Sequence, residues 1–191
     1  MSAQYTAFLD ANVLYPAPLR DILLELAVSD LFQARWSLFV LDEMKRNILK
    51  NRPDLSKDRL DKTIELMNAH CRDCITDIPE SLVESIYGLP DHNDRHVVAG
   101  ALISRSHAIV TWNLKDFPKA NLDEYRLEPI DPDTFLEAQF DLDNGRFLEC
   151  ISRVRKRLKF PEKTVDEYLS TLIQQRLVKT ATKLKQYKAL I

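Results

Sequence analysis

Ala7-Phe8-Leu9-Asp10-Ala11-Asn12-Val13-Leu14-Tyr15-Pro16 is the stretch whose reading decides the fold. An apolar run of strand length stops abruptly on a carboxylate and an amide. Open α/β sheets bind their ligands in the crevice outside the carboxyl ends of the strands, so an acid at that point is a candidate site residue. Asp10 is the first such residue. Asn12, two positions later, is expected to hold a neighbouring loop or the acid itself through its side-chain amide. The plainer reading, that Asp10 caps a helix or closes a turn, has to be weighed against three further acids in comparable places.

Working outward, the spacing of Ile22, Leu23, Leu26 and Ala27 predicts a helix over residues 19–29. Trp36 to Leu41 is a short apolar stretch that leads into a second helix, with Asp42 as its expected N-cap and Glu43 in its first turn, where the helix dipole favours an anion. A helix from Ser56 to about His70, a strand candidate at residues 74–78, a short helix after Pro79 and an apolar helix over residues 95–106 follow. Ala108-Ile109-Val110-Thr111 reads as the clearest buried strand. It runs into Trp112-Asn113-Leu114-Lys115-Asp116-Phe117-Pro118, and a weaker strand near residues 127–130 precedes a helix over 134–141. Strands alternating with helices predict right-handed βαβ units, a central parallel sheet covered by helices on both faces. Beyond Asp143 the pattern is helical only, so the expected division is 1–142 as the α/β domain and 143–191 as a helical C-terminal extension.

Composition narrows the chemistry. With 45% apolar and 29% charged residues among 191, the chain fits an ordinary globular protein with a sizeable core. It has 3 glycines and no Gly-rich phosphate loop of either common pattern. No membrane-length apolar run and no signal-peptide pattern occur, which leads to an expectation of a cytoplasmic protein without membrane contact. Cys71, Cys74 and Cys150 form an odd set. Without a second ligand pair at zinc spacing, they read as reduced structural cysteines. The net charge of −2 conceals an asymmetry: residues 1–143 carry 15 Lys and Arg against 25 Asp and Glu, whereas residues 144–191 carry 12 against 4.

Asp10, Glu43, Asp94 and Asp116 all stand at ends of predicted elements, and a parallel sheet can bring them to one edge. Carboxylates gathered in one place raise one another's pKa and call for a cation. Hard oxygen donors of this kind suit Mg²⁺ or Mn²⁺, which support in-line attack of water on a phosphodiester. Such chemistry needs no Ser, His or Cys nucleophile, and His92 and His96, which flank Asp94, read as surface or hydrogen-bonded residues. Plain caps and turn formers remain the individual alternatives for each acid.

Leu9-Asp10-Ala11-Asn12-Val13-Leu14-Tyr15-Pro16, Leu41-Asp42-Glu43, Leu89-Pro90-Asp91-His92-Asn93-Asp94-Arg95-His96-Val97 and residues 110–118, taken in order, resemble the PIN domain family. Within it they are most similar to the VapC-type toxin ribonucleases. The resemblance covers roughly residues 5 to 140 and implies a PIN-like fold and a metal-dependent endoribonuclease, with Asp10, Glu43, Asp94 and Asp116 as the catalytic, metal-binding quartet. It also implies supporting roles for Asn12, Asn113 and Thr111, while Asp91 is placed behind Asp94. An RNA substrate, an antitoxin protein and a homodimer are the implied partners. The family's small toxins end soon after the last strand and helix, whereas about fifty residues continue here; PIN proteins with helical extensions form a subgroup.

An acidic pocket repels RNA, so flanking cations must guide the strand. Arg95, Lys115 and Lys119 lie near the site in sequence, and Arg153, Arg155, Lys156, Arg157 and Lys159 could extend the track, although a solvated helix face is the plainer reading of that run. The competing functions are a PIN-like module that binds RNA or protein without cutting, and an Asp-nucleophile phosphohydrolase. The latter wants an acid at position 12 and a hydroxyl at 14, where the chain has Asn12 and Leu14.

Overall fold

A computed structural model describes residues 5–191. Its centre is a parallel sheet of four strands, β1 (Thr6–Leu9), β2 (Gln33–Arg35), β3 (Ala108–Val110) and β4 (Glu128–Ile130), in the order β2-β1-β3-β4 among the described residues. Phe8 faces Arg35 on one side and Ile109 on the other, and Leu9 pairs with Val110. The chain leaves β1 for an edge strand on one side and returns on the other side as β3. That makes the gap between the carboxyl ends of β1 and β3 the topological switch point, where open α/β sheets place their ligands.

Seven helices belong to this first part among the described residues: α1 (Ala11–Leu14), α2 (Ala17–Val28), α3 (Leu38–Asn51), α4 (Lys57–His70), α5 (Glu80–Glu84), α6 (Arg95–Ile103) and α7 (Lys119–Leu122). β1 is buried along its whole length, which is why Thr6-Ala7-Phe8-Leu9 reads as a continuous apolar run rather than an alternating one. α6 packs directly on β1 and β3. Gly100 permits that approach, since a Cβ there would fall on the Phe8 ring. Each large side chain enclosed in this layer, such as Phe8, Ile109 or Phe117, contributes about 1.5–3 kcal/mol of apolar burial.

Two expectations need correction. α3 begins five residues earlier than the sequence suggests: the Ser37 hydroxyl accepts a bond from the Val40 amide at 3.3 Å and is the N-cap in place of Asp42. Val40, Leu41, Met44 and Ile48 then form one buried helical face, so the apolar run is helix, Asp42 is an exposed residue inside it, and Glu43 sits in the second turn. Residues 74–78 make only an isolated bridge, Trp36 with Ile75. Asp73 in a left-handed conformation and Pro79 bound the segment on either side and leave it too short for a ladder. β2, by contrast, carries no apolar signal, since it consists of Gln33, Ala34 and Arg35.

The remaining helices are α8 (Pro132–Leu142), α9 (Asn144–Arg157), α10 (Val165–Gln174) and α11 (Val178–Leu184). Phe147, Cys150, Ile151 and Val154 line the buried face of α9, which lies against α2. Glu25 of α2, itself buried, accepts from Arg153 Nε at 2.6 Å and pairs with Arg157 as well. Asp133 at the start of α8 is also buried, and it accepts from the Lys179 and Thr180 amides at 2.8 and 2.9 Å and from the Thr180 hydroxyl at 2.8 Å. It thereby satisfies donors that α11 would otherwise leave unpaired. α10 starts with a capping box between Thr164 and Glu167. The helical extension is therefore packed on the α/β body of its own chain.

Cys71, Cys74 and Cys150 are buried free thiols. Burial pushes Cys71 up to about 12 and Cys74 up to about 11, so neither is a thiolate at neutral pH. No helix among the described residues is long and apolar enough to cross a membrane.

Candidate active site

The end of β1 and the end of β3 are tied by one hydrogen-bonded network. Asp10 is buried and does two things at once. Its Oδ1 accepts from the Ala11 amide at 2.6 Å, capping α1, and its Oδ2 accepts from Asn12 Nδ2 at 2.6 Å and from the Thr111 hydroxyl at 2.7 Å. Thr111 Oγ1 in turn accepts from Asn12 Nδ2 at 2.9 Å and from the Asn113 amide at 3.0 Å, while Asn12 Oδ1 accepts from the Trp112 amide at 3.0 Å. A hydroxyl has one proton and two lone pairs, and Thr111 uses all three here. Asn12 and Thr111 thus both hold the Asp10 carboxylate. Asn113 contributes its backbone amide to the network, and its side chain is exposed.

Asp94 closes a 3₁₀ turn, His92–Asp94, directly before α6, yet its side chain makes no capping bond. The capping role falls to Asp91, whose Oδ1 accepts from the Asn93 amide at 2.8 Å. The Asp94 carboxyl is pushed up to about 7, first by burial and then by the charges of Asp10, Asp91, Asp116 and Glu43. Burial and Glu43 also raise Asp10, against the lowering effect of Thr111, the Ala11 amide and His96. Asp10, Asp91, Asp116 and Glu43 therefore all act on Asp94, and Glu43 acts on Asp10 as well.

Glu43 reaches His96 Nε2 at 3.7 Å, and the His96 ring lies 5.6 Å from that of Phe39. Asp116 occupies a second 3₁₀ turn, Leu114–Asp116, and is partly buried. Among the described residues no three acid, His or Cys side chains converge tightly enough to form a ready-made cage for an ion. The arrangement is a loose acidic cluster of oxygen donors, in which Asp94 is raised to about 7.

The cations fall in several places. Arg95 lies over the Tyr87 ring at 5.6 Å, and Lys115 is exposed beside Asp116. Of the basic run in α9, Arg157 is engaged by Glu25, Arg155 donates to the Lys163 carbonyl at 2.9 Å, and Lys156 is exposed. Sequence reasoning gave no role to Glu25, which stands in the middle of an ordinary amphipathic helix. It also missed Arg176, whose guanidinium lies 4.3 Å from the centre of the Trp112 ring.

Residues 132–186 match the VapC50 C-terminal domain family. A curated relative, "Putative ribonuclease VapC50" of Mycobacterium tuberculosis (strain ATCC 25618 / H37Rv), is 47% identical over 51 residues, which is 27% of this chain and 30% of the relative. The chain thus covers less than a third of that relative's length. No solved structure gives a significant match. An α/β body with PIN-like topology is thus followed by a region similar to the VapC50 C-terminal domain.

Proposed function

We propose that the protein is a divalent-metal-dependent endoribonuclease and the toxin half of a VapBC-type toxin-antitoxin pair. The observation that carries this reading is the acidic cluster at the β1/β3 switch point, where burial and then four neighbouring acids lift Asp94 to about 7. Crowded carboxylates raise one another's pKa, and a bound hard cation would relieve that repulsion and favour their ionised form; Mg²⁺ or Mn²⁺ is the fitting class. Asp10, Glu43, Asp94 and Asp116 would hold the ion. When bound, it supplies Lewis-acid assistance to attack by water and to departure of the leaving oxygen.

The chain's own residues do the rest. Thr111 and Asn12 fix the Asp10 carboxylate in one orientation, so it meets substrate without first reorganising. His96 Nε2 lies 3.7 Å from the Glu43 carboxylate, at ion-pair distance when the imidazole carries a proton. The relative's name points to the same class of activity, and an antitoxin partner and a homodimer belong to this reading as well.

The direct test incubates end-labelled RNA with the protein in Mn²⁺ or Mg²⁺, beside a chelator control and an Asp10→Asn variant. Cutting that disappears in both controls is the expected result. RNA held but never cut would replace the nuclease with a binding module.

A further inference from the structure

The C-terminal domain meets the acidic site at Arg176. Between α10 and α11 the chain turns through a left-handed Arg176, with φ of 67°, held by its own amide on the Ile173 carbonyl and by the Leu177 amide on Leu172, both at 2.9 Å. An arginine pays about 1–2 kcal/mol for that conformation, where glycine would not. The turn projects its guanidinium over Trp112. Trp112 follows Thr111 directly, and its amide is bonded to Asn12, which holds Asp10.

Gln175, the preceding residue, lines a cleft of about 420 Å³ together with Tyr15, Arg20, Arg52 and Arg59. Tyr15 ends the short helix that Asp10 begins, so α1 links the acid to this cleft. Arg52 is paired with Asp54, and Arg20 donates to the Leu14 carbonyl. Arg176 is exposed, and among the described residues no carboxylate lies within ion-pair distance of it, whereas Arg153, Arg157, Lys179 and Lys183 of the same domain all have one. A guanidinium held over an indole in a cation–π contact can still direct N–H donors outward, and those donors match a phosphate.

We propose that Arg176 is a substrate-positioning residue for single-stranded RNA: stacked on Trp112, it takes a backbone phosphate beside the scissile one and directs the strand into the cleft at Tyr15 and Arg59. This rests on the ribonuclease reading. A cation at the rim offsets the repulsion that the acidic cluster exerts on the incoming strand.

The test uses the full chain. Binding of a labelled single-stranded RNA, and of the same sequence as a duplex, is followed by fluorescence anisotropy across a salt series in an Asp10→Asn background; cleavage kinetics are measured with Asp10 intact. Arg176→Ala is expected to weaken single-strand binding about tenfold, to raise KM by a similar factor with kcat within about twofold, and to lower the salt slope by about 0.7. Arg176→Lys keeps the charge but not the planar stack, so it restores the slope and only part of the affinity. Duplex binding should be indifferent to either change. An unchanged slope and KM, including the case where Arg176→Ala only lowers the melting temperature, would overturn the proposal while wild-type cutting keeps the nuclease. If the wild type neither binds nor cuts RNA, both readings fall together.

Discussion

Replacing Asp94 by Asn should make the metal-free protein more stable, and only where the acid would be charged. The ordinary carboxyl value of 3.8 becomes about 7 in the folded protein. At 1.36 kcal/mol per pH unit the full displacement sets a ceiling of roughly 4 kcal/mol. The side chain is only partly buried, and solvent screening reduces the figure to about 1–2 kcal/mol. The native state holds this proton more tightly than the unfolded chain, so the contribution of Asp94 to stability falls as pH rises from about 4 to about 7 and is flat beyond. Asn carries no charge at any of these pH values. Thermal unfolding in chelator, from pH 4.5 to 8.5, should show a gain for Asp94→Asn that grows through that window and reaches about 3–6 °C at pH 8. A gain independent of pH, or a loss at pH 8, would show that Asp94 does not share its field with the other acids.

Three further outcomes are expected. Mn²⁺ added at pH 8 should raise the melting temperature of the wild type and do so less for Asp10→Asn, as mass action requires of a ligand that binds only the native state; equal shifts would remove Asp10 from the ion's ligands. Thr111→Val removes a donor to Asp10 and the acceptor of two other bonds, so it should cost about 1–3 kcal/mol in urea unfolding and raise the Asp10 pKa further, visible as an upward shift of the acid limb of the activity profile. Asp133→Ala leaves the Lys179 and Thr180 amides without their acceptor inside the protein and should cost about 2–3 kcal/mol, with Asp133→Asn costing less because one acceptor oxygen remains.

The site was legible in the sequence wherever an acid followed a strand or opened a helix. Asp10 and Asp116 stand just beyond the apolar runs of β1 and β3, and the parallel sheet brings them to one edge without further instruction. Glu43 was placed near the right helix but in the wrong turn. Leu38 to Leu41 has the same composition as a strand, and only the Ser37 cap and the spacing to Met44 and Ile48 mark it as helix. β2 was invisible because a three-residue strand of Gln, Ala and Arg takes its place from its neighbours rather than from its own side chains. The arginines of α9 mark the limit of local reading. Their partner Glu25 lies more than a hundred residues away, and a charge run on a helix looks the same whether it faces RNA, water or a buried acid.

Glu25 also bears on how such a chain can be recombined. An acid enclosed beneath α9 depends on two guanidinium groups that arrive only with the last quarter of the sequence. Residues 132–186 grafted onto a different body would bring Arg153 and Arg157 to a surface with no anion waiting, and this body, covered by a replacement helix without those arginines, would bury Glu25 with no counter-charge. The two regions consequently form a lock with its own key rather than interchangeable cassettes, and a viable chimera would have to exchange α2 along with α9.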